Sequence, residues 1–249
     1  MYIMTTFYVP QSMGWGNVAL HIADLVKRCP TPKVHSKNFT DVVRGVEFSG
    51  FEITDDPNEP KFQTQLFINP HYFHEVHSNL KNILRPTQEL QEILSREEHG
   101  CTHGIHIRRG ACSKDSEDMG CHGKDENGQI KRAYFAQDSA IEKFLKIAED
   151  VEGKVFLASD SVEIKKMFKD RFPDKIVTYD HTPSLTYKCE VIDNDTSRED
   201  RLACYVDWFL LSKCKVLHIT AGNQDLSDFS TFGYSAGAYG GSNIHFIFN

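Results

Sequence analysis

Val155-Phe156-Leu157-Ala158-Ser159-Asp160-Ser161 is an apolar run that ends in two serines flanking an acid. A helical pattern from Ser161 to Lys169 follows it, then a strand-like run from Lys175 to Thr178. The three together read as strand, helix, strand. The same alternation continues on both sides. Gly104-Ile105-His106-Ile107 is strand-like, and Tyr134 to Asp150 is an amphipathic helix. Arg198 to Lys213 is a long helix, Val216 to Thr220 a strand, and Ser230 to Ala238 the start of a helix. Strands that alternate with helices predict an α/β fold with mainly parallel sheets, because parallel neighbours need crossover connections. Ligands of such sheets bind at the carboxyl ends of the strands. The polar stretch Ala111 to Lys131 reads as a loop or lid beside that edge.

The first half opens in a similar way. Phe7-Tyr8-Val9 is strand-like, Gln11 to Asn17 a Gly-rich turn, and apolar residues at 18, 19, 22, 25 and 26 have helical spacing. Strand, turn and helix in that order begin many nucleotide-binding units. Short strands are expected over Phe48 to Ile53 and Gln65 to Ile68, separated by Asp55-Asp56-Pro57-Asn58-Glu59-Pro60. Helices are expected over Tyr72 to Leu84 and Thr87 to Leu94, broken at Pro86. Glu97-Glu98-His99-Gly100 is the expected boundary, which predicts two domains, 1–100 and 101–249.

The 249 residues carry 28 Lys plus Arg against 35 Asp plus Glu, a net charge of −7, and are 40% hydrophobic. That composition is globular, and the acidic balance argues against a nucleic-acid partner. No run of about 18 apolar residues predicts a membrane span, and no basic segment precedes an apolar one at the N-terminus. Seven cysteines without a secretion signal read as free thiols in a reducing compartment.

Three segments have the chemistry to bind an anion. His106-Ile107-Arg108-Arg109-Gly110 sets two arginines at a strand end, and guanidinium forks match phosphate oxygens, although a surface salt bridge is the plainer use of such a pair. Ser230-Thr231-Phe232-Gly233 offers hydroxyls and N–H groups at a helix start, with an ordinary N-cap as the plainer use. Gly14-Trp15-Gly16-Asn17 offers a backbone turn of close approach.

Taken in order, these segments resemble the motifs of a glycosyltransferase superfamily. Gly14-Trp15-Gly16-Asn17 resembles the G-x-G-N opening of the α-1,2-fucosyltransferases, and Asn69-Pro70-His71-Tyr72-Phe73 through Leu84 a helix of the same enzymes. His106-Ile107-Arg108-Arg109-Gly110 is similar to the H-x-R-R-G-D motif shared with α-1,6- and protein-O-fucosyltransferases, with Ala111 in place of the acid. Val155 to Ser161 resembles their strand ending in S/T-D-D/S, and Asp207-Trp208-Phe209-Leu210-Leu211-Ser212-Lys213-Cys214 the helix before their phosphate loop, Ser230-Thr231-Phe232 here.

The resemblance implies a GT-B-like fold and inverting transfer from a nucleotide-sugar donor, GDP-fucose first, to the hydroxyl of a glycan, with no metal or other cofactor. It implies that Arg108 meets the β-phosphate and stabilises the leaving diphosphate, with Asn17 and Asp207 beside it: Asn17 facing donor or acceptor, Asp207 orienting the arginines or the donor. It further implies donor contacts from Gly14, Gly16, His106, Arg109, Ser159, Asp160, Ser161, Ser230, Thr231 and Phe232, with Asp160 and Ser161 near the base or ribose. Relatives are often Golgi-anchored, so a chain without a span suits the cytoplasm of a bacterium or a virus-infected host. Open alternatives are the same fold with a UDP-pentose such as xylose or a rhamnose nucleotide, and a non-catalytic nucleotide- or glycan-binding module.

A general base would be a carboxylate or histidine of the first half: Asp24, His21, His35, Asp55 or Asp56, each with a structural use as well. Cys101, His103, His106, Cys112, Cys121 and His122 cluster without the paired spacing of a zinc site. Asp193-Asn194-Asp195 matches a manganese-binding D-x-D, yet it precedes a helix that it is suited to cap.

Overall fold

A computed structural model of the chain describes residues 5–10, 14–39, 43, 45–63, 76, 79–109, 136–180, 198–222 and 229–249. The first hundred residues supply β1 (Thr6–Phe7), α1 (Trp15–Arg28), β2 (Lys33–His35), β3 (Val46–Phe48), β4 (Glu52–Thr54), α2 (Leu80–Ile83), β5 (Leu84–Pro86) and α3 (Gln88–Arg96). Strands β1, β2 and β4 form a parallel sheet in that order, and β3 pairs antiparallel with β5. The strand expected from Phe48 to Ile53 is split in two at Gly50, whose φ of +91° favours glycine. The helix expected to reach Leu84 stops at Ile83. Proline disfavours the helical conformation in the residue before it, so Arg85 is extended and Leu84–Pro86 pairs with β3. Gln65 to Ile68 and most of the segment from Asn69 to Ser78 lie outside the described residues.

The remainder supplies β6 (His103–Ile107), α4 (Asp138–Asp150), β7 (Val155–Ser159), α5 (Val162–Arg171), β8 (Ile176–Val177), α6 (Arg198–Ser212), β9 (Val216–Thr220), α7 (Thr231–Gly240) and β10 (Asn243–Ile247). All five strands are parallel, in the order β10-β9-β6-β7-β8. Every residue of β7 is buried, as a central parallel strand covered on both faces must be. Period-two alternation divides its neighbours: Ile105, Ile107, Val155 and Leu157 pack with Phe144 of α4 and Phe168 of α5. Phe156 and Ala158 face the opposite cluster, which contains Trp208. Numbered from β6, the strand order is that of a doubly wound sheet, with its switch point between β6 and β9.

The larger apolar cluster runs from Phe7 and Trp15 through Tyr205 and Trp208 to Ala236, so both halves of the chain share it. Trp15 meets Tyr205 edge-on at 5.1 Å and Trp208 at 5.6 Å. Trp208 is fully buried, and its Nε1–H donates to Ser235 Oγ at 2.9 Å, which ties α6 to α7. Cys29, Cys101, Cys204 and Cys214 are free thiols, and burial pushes Cys214 up to about 12. No helix among the described residues is long and apolar enough to cross a membrane.

Replacing Trp208 with alanine removes the centre of this cluster and leaves Ser235 without its donor. The expected loss is about 3–5 kcal/mol of unfolding free energy, read from urea denaturation midpoints.

Candidate functional site

Neighbouring strands hold the carboxyl end of β6 through side chains. Ser159 of β7 donates its hydroxyl to the carbonyl of Ile107 at 2.8 Å. Thr220 of β9 donates to the carbonyl of His106 at 3.2 Å and accepts the N–H of Arg108 at 3.0 Å. Beyond that point, buried Asp160 organises both arginines. Its Oδ2 lies 3.0 Å from the Arg108 guanidinium, and its Oδ1 accepts the Arg109 N–H at 2.7 Å. Arg109 also reaches the carbonyl of Ala136 at 2.7 Å and Asp138 at 2.5 Å. The Arg108 side chain keeps 37% of its surface open against 6% for Asp160, so the guanidinium is anchored from the buried side and presented to solvent.

Beside Arg108 begins α7. Ser230 is its N-cap and donates its N–H to the carbonyl of Thr220 at 2.9 Å, but its side chain makes no capping bond. Phe232 stacks on His106 with ring centres 4.9 Å apart, and a β-carbon on Gly233 would stand 2.9 Å from His106 Nδ1. Burial, and after it the charge of Arg108, hold His106 down at about 3, so the imidazole is neutral. A cation here would repel the arginine it supports.

The N-terminus of α1 arrives at the same place. The helix starts at Trp15, so Gly16 and Asn17 lie in its first turn and not in a loop. A β-carbon on Gly16 would lie 2.5 Å from Phe232 N and from the carbonyl carbon of Thr231, whereas one on Gly14 would meet nothing within 4 Å. The close approach therefore belongs to Gly16, and it is one helix against another. The helical cost of glycine, about 1 kcal/mol, is accepted for that contact. Gly14 caps α1 without a side-chain bond, and Asn17 is half-buried one step further on. Two helix N-termini, neither capped by a side chain, thus converge beside the arginines at the switch point of the sheet.

The remaining candidates take other places. Asp160 holds the arginines, where proximity to a base or ribose was expected. The Ser161 side chain caps α5 by accepting the Ile164 N–H at 3.3 Å, and the Ser161 N–H donates to Ser159 Oγ at 3.2 Å, so both hydroxyls are engaged inside the protein. Asp207 does not pair with the arginines. It forms a buried ion pair with Lys165 at 3.1 Å, and Lys165 also donates to the carbonyl of Tyr179 at 3.1 Å. Burial raises Asp207 to about 6 against the pull of Lys165, and its Oδ1 has no hydrogen-bond partner.

Among the base candidates, Asp24 pairs with Arg28 at 3.1 Å, and burial holds His21 at about 4. His35 stacks on Tyr8 at 4.7 Å, Asp55 accepts from Ser36, and Asp56 accepts the Asn58 N–H at 2.9 Å. Among the described residues no three His, Cys, Asp or Glu side chains gather as metal ligands. Cys112, Cys121, His122, Asp193, Asn194 and Asp195 lie outside the described residues. Thr220 and Asp138 went unread in the sequence. A threonine ending a strand is common, and no spacing marks one as a bridge.

No family model matches the chain, and no curated protein sequence matches it. Solved structures do. The NodZ alpha-1,6-fucosyltransferase soaked with GDP-fucose superposes with a TM-score of 0.53 at 15% identity, over 94% of this chain and 92% of its own. The same enzyme co-crystallised with GDP gives 0.51 at 14% identity over 93% and 91%. The fucosyltransferase NodZ from Bradyrhizobium likewise gives 0.51 at 14% over 93% and 91%. The chain has a fucosyltransferase-like GT-B fold. In this GT-B fold the converging helix ends and the arginines sit at the carboxyl edge of the five-stranded sheet.

Burial holds His106 at about 3, and His21 and His218 at about 4, so each is neutral in the fold and takes up a proton below about 6.5 once unfolded. The stability they contribute is full above pH 6.5 and is lost as pH falls toward 4. In denaturant titrations at pH 6.5 and 4.5, His106→Gln is expected to lessen that loss by on the order of 2 kcal/mol.

Proposed function

We propose that the chain is a glycosyltransferase that moves a sugar, fucose from GDP-fucose first, from a nucleoside-diphosphate donor to the hydroxyl of a glycan. The observation that carries this reading is the meeting of two uncapped helix N-termini with an anchored, solvent-facing Arg108 at the sheet's switch point. Free N–H groups and aligned helix dipoles favour a diphosphate there. The solved structures of NodZ co-crystallised with GDP and soaked with GDP-fucose make guanosine diphosphate the first choice.

In the proposed reaction the acceptor hydroxyl attacks the anomeric carbon from the face opposite the diphosphate. The bond from that carbon to the phosphate oxygen breaks, its electrons leave with the β-phosphate, and the hydroxyl proton passes to solvent or a base of the first half. Inversion follows from a single displacement. Positive charge builds on the sugar and negative charge on the leaving group. Arg108 and the first turn of α7, at Ser230, Thr231 and Phe232, stabilise the latter with charge and dipoles fixed before the reaction, so no metal is needed for that task. Arg109 and neutral His106 support this arrangement, and Asn17 faces the cleft from α1. Residues 1–100 then form the acceptor side and 101–249 the donor side.

Arg108→Ala is expected to lower turnover at saturating donor by about 10²–10³-fold in a transfer assay. Near-wild-type turnover would remove the leaving-group role. Thermal shift with GDP and UDP tests the base: at about 100 times its Kd a ligand adds about 2.7 kcal/mol. GDP is expected to raise the melting temperature more than UDP does.

A further inference from the structure

We infer that Thr220 is a positioning residue that fixes Arg108 and the first turn of α7 in one frame, an inference that rests on the diphosphate reading above. The Thr220 side chain is fully buried. Backbone pairing between β6 and β9 ends at the rung His106–Ile219, and there the chain carrying Arg108 leaves the sheet. Where a further rung would fall, the Thr220 hydroxyl takes over both of its roles. It accepts the Arg108 N–H at 3.0 Å and donates to the His106 carbonyl at 3.2 Å. The backbone carbonyl of the same residue accepts the N–H of Ser230, the N-cap of α7, at 2.9 Å.

One residue thus bonds directly to the backbone that bears the guanidinium and to the backbone that opens the helix. No other residue intervenes between the two parts of the anion site. The task needs a group that donates and accepts at once, which a hydroxyl does and a methyl does not. Valine has the same shape and would leave the Arg108 N–H and the His106 carbonyl without their partner. Recovering partners requires the strand end to move, and charge stabilisation of this kind depends on position to within an ångström. Ser159 cannot take over, since its hydroxyl serves Ile107 and Ser161 on the β7 side.

The test is a calorimetric GDP titration of the full chain as wild type, Thr220→Val, Thr220→Ser, Arg108→Ala and the Arg108→Ala/Thr220→Val double variant. Thr220→Val is expected to weaken GDP binding by about tenfold or more, and Thr220→Ser to stay within about threefold of wild type. In the Arg108→Ala background the penalty of Thr220→Val is expected to shrink to about threefold or less, because the group being positioned is gone. A residue that only stabilised the fold would give the same penalty in both backgrounds, and that result overturns the inference, as does wild-type affinity in Thr220→Val. Should Thr220→Val not fold, Thr220→Ala carries the same comparison. Wild-type protein that binds no GDP overturns the diphosphate reading itself, an outcome visible before any variant is compared.

Discussion

Gly16 stands so close to the peptide between Thr231 and Phe232 that a β-carbon would sit 2.5 Å from backbone atoms, which cannot rotate away as a side chain could. That contact fixes how α1 meets α7. It also sets what the aromatic residues around it can do. With the helices this near, Trp15 reaches Tyr205 and Trp208, and the apolar cluster becomes continuous from Phe7 to Ala236. Because α1 follows β1 and α7 follows β9, the same contact brings the carboxyl side of the small sheet to the carboxyl edge of the large one. The place where a ligand would bind is therefore a by-product of close backbone packing between two helices. A larger residue at 16 would disturb the core and the candidate site together.

Around that contact the site is trimmed with short polar side chains instead of long ones. Ser159, Asp160 and Thr220 reach β6 from both flanking strands, and each bonds backbone or guanidinium at the strand's end. Short side chains lose little freedom on ordering, so the edge is held rigidly at low entropic cost. Only Arg108 and Arg109 are long, and both are clamped by carboxylates. The net charge of −7 does not contradict an anion site, since the field that matters is set by groups within a few ångströms.

Much of this architecture was legible in the sequence because burial writes a pattern. The wholly apolar start of β7 and the helical spacing in α1 and α4 gave their elements within a few residues. Short edge elements did not carry such a pattern. Lys33–His35 has one central apolar residue, and Asn243–Ile247 alternates in a terminal segment with no turn signal before the chain ends. The site was legible as to which segments come together, since Arg108 and Ser230 both bond Thr220 and Gly16 packs on Thr231 and Phe232. It was not legible as to which side chain serves which. Asp160 bonding to the arginines and Asp207 bonding to Lys165 depend on side-chain directions that spacing along the chain does not encode.

The Lys165–Asp207 pair is instructive because stability does not account for it. Taking both charges from water offsets most of their attraction, and an unpartnered Oδ1 adds a further cost. Burial raises Asp207 to about 6, so in the fold it holds a proton more tightly than in the unfolded chain. Between about pH 4 and pH 6 its contribution therefore falls as pH rises, against the direction set by the buried histidines. A leucine at 207 alone would leave the Lys165 ammonium buried without its carboxylate, so only apolar residues at both positions would escape these costs. What the carboxylate adds is a link among α5, α6 and the chain beyond β8, through Lys165 and the Tyr179 carbonyl, at the same sheet edge that carries the arginines. Directional bonds from one ammonium to Asp207 and to the Tyr179 carbonyl fix how α5 meets α6 and that stretch of chain, which apolar contacts of the same area do not orient.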